Sequence, residues 1–317
     1  MEIFRKLDDV PAGLGGTVLS VGNFDGVHRA HQHVLKNLAE RARERGLCSL
    51  AVTFEPHPMR ILRPDVVPRL LTPLPVKLKL LEAQGLDAVL VLPFTRDLSL
   101  TAPRDFAEQI LKKRLRAEEV HEGANFHFGH RAEGNVERLT EFGRAFGFEV
   151  HVYPEMRVRS DSVSSSRIRE LLGEGRVTRA RHLLGRVFSM VSTAGRGRGY
   201  GHKFTVPTIN LSRYDDAVPA NGVYITRTRV GSVRFDSVTN VGVRPTFGAD
   251  SYAVESHLMH FHPLEVTADT EIEIGFLHRL RSEIKFPSVE ALREQIAHDV
   301  RRARRYFALL QSLVVGR

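Results

Sequence analysis

The feature that most limits the fold of this chain is a change of rhythm past its middle. Up to Tyr153, short apolar runs alternate with helical patterns. Strand candidates are Thr17 to Val21, Leu50 to Phe54, Ala88 to Leu92, Glu119 to Glu122 and Glu149 to Tyr153, with helical candidates around residues 30–45, 76–84, 103–114 and 135–147. Such alternation predicts a parallel sheet covered by helices, with ligands at the carboxyl ends of the strands. From Val187 onward the intervening helices vanish, leaving Val187 to Thr193, Gly222 to Val230, Val233 to Val243, Val254 to Phe261 and Glu271 to Leu277. Short strands joined by Gly and Pro turns predict a small antiparallel barrel. Behind Ser288, a residue suited to an N-cap, Leu292, Ile296, Val300, Ala303, Phe307 and Leu310 recur at helical spacing, so a terminal helix should pack on that barrel. The expected architecture is α/β plus β, divided into residues 1–186 and 187–317.

Composition narrows the partners. The 317 residues, 42% apolar and 26% charged, suffice for two domains with buried cores. No apolar run approaches the length of a membrane span, and the start, Met1 to Asp9, lacks an apolar signal segment, so a cytoplasmic location is expected. The single cysteine, Cys48, excludes an internal disulfide and sits in an apolar run as a packed core residue. A net charge of +9 fits a nucleic-acid binder or an enzyme of polyanionic substrates. The densest basic run, Arg301 to Arg305, falls on the terminal helix away from its apolar stripe and reads as a solvated face. With no zinc-finger spacing and no aromatic-rich RNA-binding motif, small phosphorylated ligands are the expected partners.

The loops at the predicted strand ends carry the chemistry. Gly22-Asn23-Phe24-Asp25-Gly26-Val27-His28-Arg29-Ala30-His31-Gln32 follows the first strand and leads into a helix whose Val34, Leu35, Leu38 and Ala42 share a face. Gly22 and Gly26 allow a tight turn and close approach to a ligand, and the helix start offers unpaired N–H groups to a phosphate. His28 and His31, three apart, should share the first helical turn and donate to one anion; a zinc pair would require further ligands that the spacing does not supply nearby. After the second strand comes Thr53-Phe54-Glu55-Pro56-His57-Pro58, a proline-stiffened loop, and after the fourth Gly123-Ala124-Asn125-Phe126-His127-Phe128-Gly129-His130, a polar and aromatic one. Ser164, Ser165 and Ser166 precede a helix expected to run to about Gly185; ordinary capping accounts for them, but with Arg167 and Arg169 they also compose a second anion site.

The segment Gly22 to Gln32 resembles the G-x-F-D-x-x-H-x-G-H signature of the nucleotidyltransferase superfamily, with Ala30 in place of the usual glycine and a slightly tighter turn expected there. Taken with the Thr53 to Pro58 loop, Leu71-Thr72-Pro73 with Lys77, the Asn125 to Gly129 loop and the serine-arginine helix, it resembles the adenylyltransferase module of bacterial bifunctional FAD synthetases. The likeness covers nearly the whole chain, and its motifs are specific as a set. It implies a Rossmann-like nucleotidyltransferase domain followed by a riboflavin kinase barrel. His28 and His31 would serve catalysis, Gly22, Asn23, Phe24, Gly26, Ser165, Ser166 and Arg169 would hold ATP phosphates, and Pro56, His57, Asn125 and Phe126 would receive FMN.

In the second half, Gly195 to Gly201 forms a basic, glycine-rich loop, and Pro207-Thr208-Ile209-Asn210 resembles the Pro-Thr-Ala-Asn motif of riboflavin kinases. The resemblance implies that Thr208 and Asn210 hold magnesium, that Gly199, Gly201, Lys203 and Asn240 contact ATP, that Glu255 is the catalytic base, and that Arg281 and Phe286 lie at the flavin. The segments Gly222-Val223-Tyr224 and Asn240 to Gly248 continue the likeness. Departures occur at Thr205-Val206, His202 and His260, and the Tyr-Gly turn usual before the next strand is absent. The implied chemistry is phosphorylation of riboflavin to FMN, then adenylylation of FMN to FAD and pyrophosphate, with ATP as donor in both. Rival readings are an FMN adenylyltransferase whose barrel is weak or regulatory, a non-enzymatic flavin or nucleic-acid binder, and transfer to another phosphorylated acceptor.

Overall fold

The computed structural model describes residues 1–11, 13–193, 208–212, 214–243, 252–262, 267 and 269–315. Two compact units divide the chain, Met1–Arg167 and Ile168–Arg317.

The first unit is built on strands β1 (Glu2–Phe4), β2 (Thr17–Val21), β3 (Cys48–Glu55), β4 (Ala88–Pro93), β5 (Ala117–Gly123) and β6 (Glu149–Tyr153). They form one parallel sheet in the order β1-β4-β3-β2-β5-β6. Apart from the short β1, this is the order of a doubly wound sheet, whose crevice opens where the winding reverses, between β2 and β5. Side-chain alternation along the strands feeds two cores. Leu19, Val21, Leu50, Val52, Leu90 and Val120 pack with Leu111 and Leu139 on one face. Val18, Ala51, Val89 and Val91 pack on the other with Leu35, Leu38 and Ala42 of α1 (Arg29–Arg45) and Leu81 of the helix Leu74–Glu82. Each fully buried leucine contributes about 1.5–3 kcal/mol of transfer free energy. Cys48 packs against the first of these cores, and burial pushes its thiol up to about 11.

The second unit contains β9 (Phe188–Thr193), β10 (Thr208–Asn210), β11 (Gly222–Val230), β12 (Val233–Val243), β13 (Tyr252–Leu258) and β14 (Glu271–Arg281), with β7 (Arg157–Val158) and β8 (Asp161–Ser162) forming a small hairpin in the first. The order is β10-β13-β12-β11-β14-β9, and every pairing is antiparallel. Its edges meet where Ser212, just past β10, donates its N–H to Thr193 O (3.0 Å) on β9 and shares a 2.7 Å hydroxyl bond with Ser192. That junction closes the barrel. The terminal helix Val289–Val315 lays Ala303 and Phe307 against Val223, Ile225, Val238 and Leu277.

Inside the barrel, hydroxyls replace part of the usual apolar filling. Thr226, Thr228, Ser237, Thr239 and Ser256 are all fully buried. Their oxygens close a ring, Thr226 to Thr239 (2.6 Å), to Ser256 (2.9 Å), to Thr228 (2.7 Å), to Ser237 (2.8 Å) and back to Thr226 (2.7 Å). The Thr226 carbonyl, 3.0 Å from the Ser237 hydroxyl, is a second acceptor for that hydroxyl's one proton. One direction of donation therefore satisfies every hydroxyl proton.

The fold class is as expected, and three local expectations are corrected. The helix starting at Ser165 does not continue to Gly185: it is two helices, Ser165–Gly173 and Val177–Leu184, because Gly175 turns the chain at φ 73°. The strand expected to reach Phe261 ends at Leu258, since His260 adopts φ 55° in the following turn. No turn separates His28 from His31; Ala30 lies in the first turn of α1, where alanine is the residue most favourable to helix. The residues after the division at Arg167 bond to the barrel: Ala220 donates to Leu172 O (2.8 Å) and Thr178 to Leu277 O (3.3 Å).

Candidate active sites

The loop leaving β2 is held in an unusual conformation. Phe24, Gly26 and Val27 have φ of 44°, 84° and 36°, a left-handed region that costs energy for the two non-glycine residues. The strain is offset by a buried carboxylate. Asp25 accepts the N–H of Leu71 (2.9 and 3.0 Å) and of Thr72 (3.1 Å), while the Thr72 hydroxyl accepts the N–H of Gly26 (3.0 Å). At Gly22 an added Cβ would stand 3.2 Å from the Phe24 ring, a tight contact that the ring would have to relieve by a few tenths of an ångström. Ser165, at the start of its helix, donates to Asp25 O at 2.8 Å. The Leu71-Thr72-Pro73 motif and the first serine helix thus position the signature loop.

His28 is the N-cap of α1, and its Nδ1 accepts the N–H of His31 at 3.4 Å. That bond needs a lone pair on Nδ1, so in the neutral form of His28 the proton sits on Nε2. The two imidazoles stack, with centroids 3.6 Å apart, and the Phe24 ring meets His31 edge-on. His31 Nδ1 is buried without a hydrogen bond. Burial, with His28 and Lys77 adding repulsion, holds the His31 imidazole well below its ordinary value, so it is neutral. Lys77 is itself buried, 3.5 Å from the Thr53 hydroxyl, and burial lowers its ammonium despite attraction from Asp25 and Glu55. An anion placed here would meet a helix start, an ammonium and two imidazoles.

The two imidazoles face a cleft of about 1050 Å³, near the upper end of the ~300–1,000 Å³ range of small-molecule pockets. Gly22, Asn23, Phe24, His28 and His31 line it, as do Asn125, Phe126, Ser165 and Ser166. The structure therefore brings most of the predicted residues of the first unit together. Gly26 acts instead through its bond to Thr72, and Pro56, His57 and Arg169 are not among the lining residues, whereas Phe54 and Pro58 are. His57 caps the short helix Pro58–Leu62 by accepting the Met59 N–H at 3.2 Å. Arg167 is committed to Asp161 at 3.1 Å, so it is not the free anion ligand that the sequence pattern implies; Arg169 lies one turn beyond Ser165 on the same helix. Phe54, Phe94, Phe126 and Phe128 make an aromatic wall, the last two stacked at 5.3 Å.

One cleft residue escaped the sequence reading. Glu122, at the tip of β5, is buried and accepts the Val21 N–H at 2.6 Å. Burial raises its carboxyl well above the ordinary range, and the two hydrogen bonds from Val21 and Ser20 oppose that rise. An acid in a strand pattern gives no sign of such burial.

In the second unit, register does the positioning. Asn210 of β10 is paired with Glu255 of β13, and Glu255 with Asn240 of β12, so the three sit abreast on one face of the sheet. Thr208 lies on the same face, two residues before Asn210. Asn210 Oδ1 is buried without a hydrogen bond, an orphaned oxygen of the kind a hard divalent cation takes. Arg281 is held by Asp299 of the terminal helix at 2.9 Å, with its guanidinium 5.7 Å over the Phe286 ring. Gly199, Gly201 and Lys203, with the departures at His202 and Thr205 and the Arg244 to Gly248 stretch, lie outside the described residues.

Fold and cleft together define a nucleotidyltransferase-type α/β unit joined to a small β-barrel. The FAD synthetase family profile matches residues 11–167 and the riboflavin kinase profile residues 184–307. The chain belongs to the family of bifunctional riboflavin kinase/FMN adenylyltransferases. It is 32% identical to the member from Haemophilus influenzae over 97% of this chain and 99% of that one, and 33% identical to that from Escherichia coli K12 over 98% and 99%. A Pseudomonas fluorescens relative of the same description is 33% identical over 96% of this chain and 97% of its own. A crystal structure described as a macrolide-efflux protein from Streptococcus pneumoniae superposes with a TM-score of 0.85 over 95% of this chain and 98% of that chain; at 24% identity it establishes the fold alone. No helix among the described residues is long and apolar enough to cross a membrane.

Proposed function

We propose that this chain makes FAD from riboflavin in two steps, phosphorylating riboflavin to FMN in the barrel unit and adenylylating FMN in the α/β unit. The observation that carries this reading is the presence, in one chain, of two separately built sites: the cleft with stacked histidines at a helix start, and the Asn210–Glu255–Asn240 row. Both family profiles match, which favours two activities over a transferase with an inert barrel.

In the first step the terminal ribityl hydroxyl attacks the γ-phosphorus of ATP and ADP leaves. A neutral hydroxyl gains from a carboxylate that accepts its proton, the role assigned to Glu255. The oxygens of Thr208 and Asn210 fit a magnesium ion, which when bound supplies neutralising charge to the phosphates. Asn240, Gly199, Gly201 and Lys203 would orient ATP, with Arg281 and Phe286 toward the flavin.

In the second step an FMN phosphate oxygen attacks the α-phosphorus of another ATP, and pyrophosphate leaves. The nucleophile is already ionised, so the protein need only position and stabilise charge. His28 and His31, with the α1 N-terminus, Lys77, Ser166 and Arg169, are assigned to the triphosphate, and the aromatic wall with Asn125 to the flavin. Functional domains over 1–186 and 187–317 and a cytoplasmic setting with small-molecule partners complete the reading. Incubation with riboflavin, ATP and magnesium, followed by chromatography, tests it: FMN should appear first and FAD after. Conversion of supplied FMN without consumption of riboflavin would leave only the transferase.

A further inference from the structure

Away from the phosphate-binding loop, the tripeptide Glu-Val-His occurs twice, at Glu119–His121 and Glu149–His151. The strands that carry it are parallel neighbours, and their register sets Glu119 opposite Glu149 and His121 opposite His151. Strand alternation puts all four side chains on one face. Glu119 Oε2 is 3.2 Å from His121 Nε2 and 3.2 Å from His151 Nε2, and Glu149 comes within 3.6 Å of the same His151 nitrogen. The donor atoms of Glu119, His121 and His151 all lie within 4.8 Å of one another. We propose that this face is a binding site for a divalent transition-metal ion such as zinc, held by His121, His151 and Glu119 with Glu149 at its rim.

The spacing is that of ligands around an ion. Two donors about 2.0–2.1 Å from a tetrahedral zinc stand ~3.3 Å apart, and the carboxylate oxygen is 3.2 Å from each imidazole nitrogen. His151 Nε2 is buried yet makes no hydrogen bond, although it faces Glu119 Oε2 at that distance. A buried nitrogen without a partner calls for a ligand. His121 has its outer support in place: Nδ1 lies 2.8 Å from the Tyr153 hydroxyl, which leaves Nε2 for the ion. Glu119 and His121 are buried and His151 is 39% exposed, so the ion has a way in from solvent. Imidazole nitrogens select against magnesium and calcium, which take oxygen donors.

Two arginines of α1 set the strength of the site. Arg45 is bonded to Glu119 Oε1, while Arg41 Nε lies 3.0 and 3.1 Å from the two carboxylate oxygens. They neutralise the carboxylate when no ion is present. An ion taking Oε2 must displace Arg41 from it, so the guanidinium and the metal compete for one oxygen.

The test is a cobalt titration of the chelator-treated full chain, with excess magnesium to fill oxygen-donor sites, following the visible d–d bands of tetrahedral cobalt and their loss on adding zinc. A single equivalent should bind. His151→Ala should weaken it by about tenfold or more, the usual effect of losing one element of a metal site; Arg41→Ala should tighten it, a gain that misfolding does not imitate. His28→Ala should leave the bands unchanged. Absence of the bands in wild type, or bands equally strong in a His151→Ala variant with unaltered thermal unfolding, would overturn the proposal.

Discussion

The two units hold their site residues by different means. In the α/β unit, a strained loop is fixed by bonds between side chains and distant backbone, Asp25 to Leu71 and Thr72, Thr72 to Gly26, and Ser165 to Asp25. In the barrel, Asn210, Glu255 and Asn240 stand abreast because three antiparallel strands share a register. The first design lets a loop take a shape that no regular element has, at the cost of depending on a few buried contacts. The second spreads the same task over a whole ladder of backbone hydrogen bonds.

The sharpest way to break this comparison is to disable one site and measure the other. Glu255→Gln should lower FMN formation by roughly 10²–10⁴-fold, the range for a lost general base, while supplied FMN still becomes FAD. His28→Ala should do the converse, reducing FAD formation on the order of a hundredfold, as for loss of one preorganised donor. Equal loss of both activities in either folded variant would contradict two independent sites. Thr72→Val removes the acceptor for Gly26 N–H and should cost about 1–3 kcal/mol, seen as a lower thermal midpoint together with weaker FAD formation. Thr226→Val, which opens the hydroxyl ring, should cost a similar ~1–3 kcal/mol in stability yet leave FAD formation from FMN intact.

Two smaller effects follow from protons. His31 is neutral when the cleft is empty, and a bound triphosphate would raise its imidazole toward the ordinary range. ATP binding below neutral pH should therefore take up protons, visible as a binding enthalpy that varies with the ionisation heat of the buffer. Glu122 is protonated in the folded chain well above the pH, near 4.5, at which it ionises when unfolded. The folded state then holds the extra proton, so the stability this group contributes falls as pH rises above that value. Glu122→Gln keeps an acceptor for Val21 N–H and loses the titration. Its thermal midpoint should gain on the wild type with rising pH, and a constant difference would show that the carboxyl is already ionised.

The sheet, the barrel and the turn that leads into α1 were legible because apolar period and glycine spacing are local signals. Thr17–Val21 and Gly222–Val230 match their predicted limits, since turn residues bound both. The partnership of Asp25 with Thr72 was hidden because it joins residues 47 apart, and nothing near either names the other. The interruption at Gly175 was hidden for the opposite reason: helical spacing persists from Ile168 through Leu184, and only the φ of one glycine breaks it. Arg167 shows a third limit. A basic residue at a helix start reads as an anion ligand until the hairpin brings Asp161 beside it.

The hydroxyl ring in the barrel has a consequence for how this sequence can drift. Each of Thr226, Thr239, Ser256, Thr228 and Ser237 is both donor and acceptor to its neighbours, so an apolar replacement at one position strands two others in a space without water. Exchange of threonine for serine keeps the circuit; exchange for valine does not. Substitution at these five positions should therefore proceed by hydroxyl-preserving swaps or by coordinated replacement of several at once, giving the barrel interior an inheritance that passes on as a block.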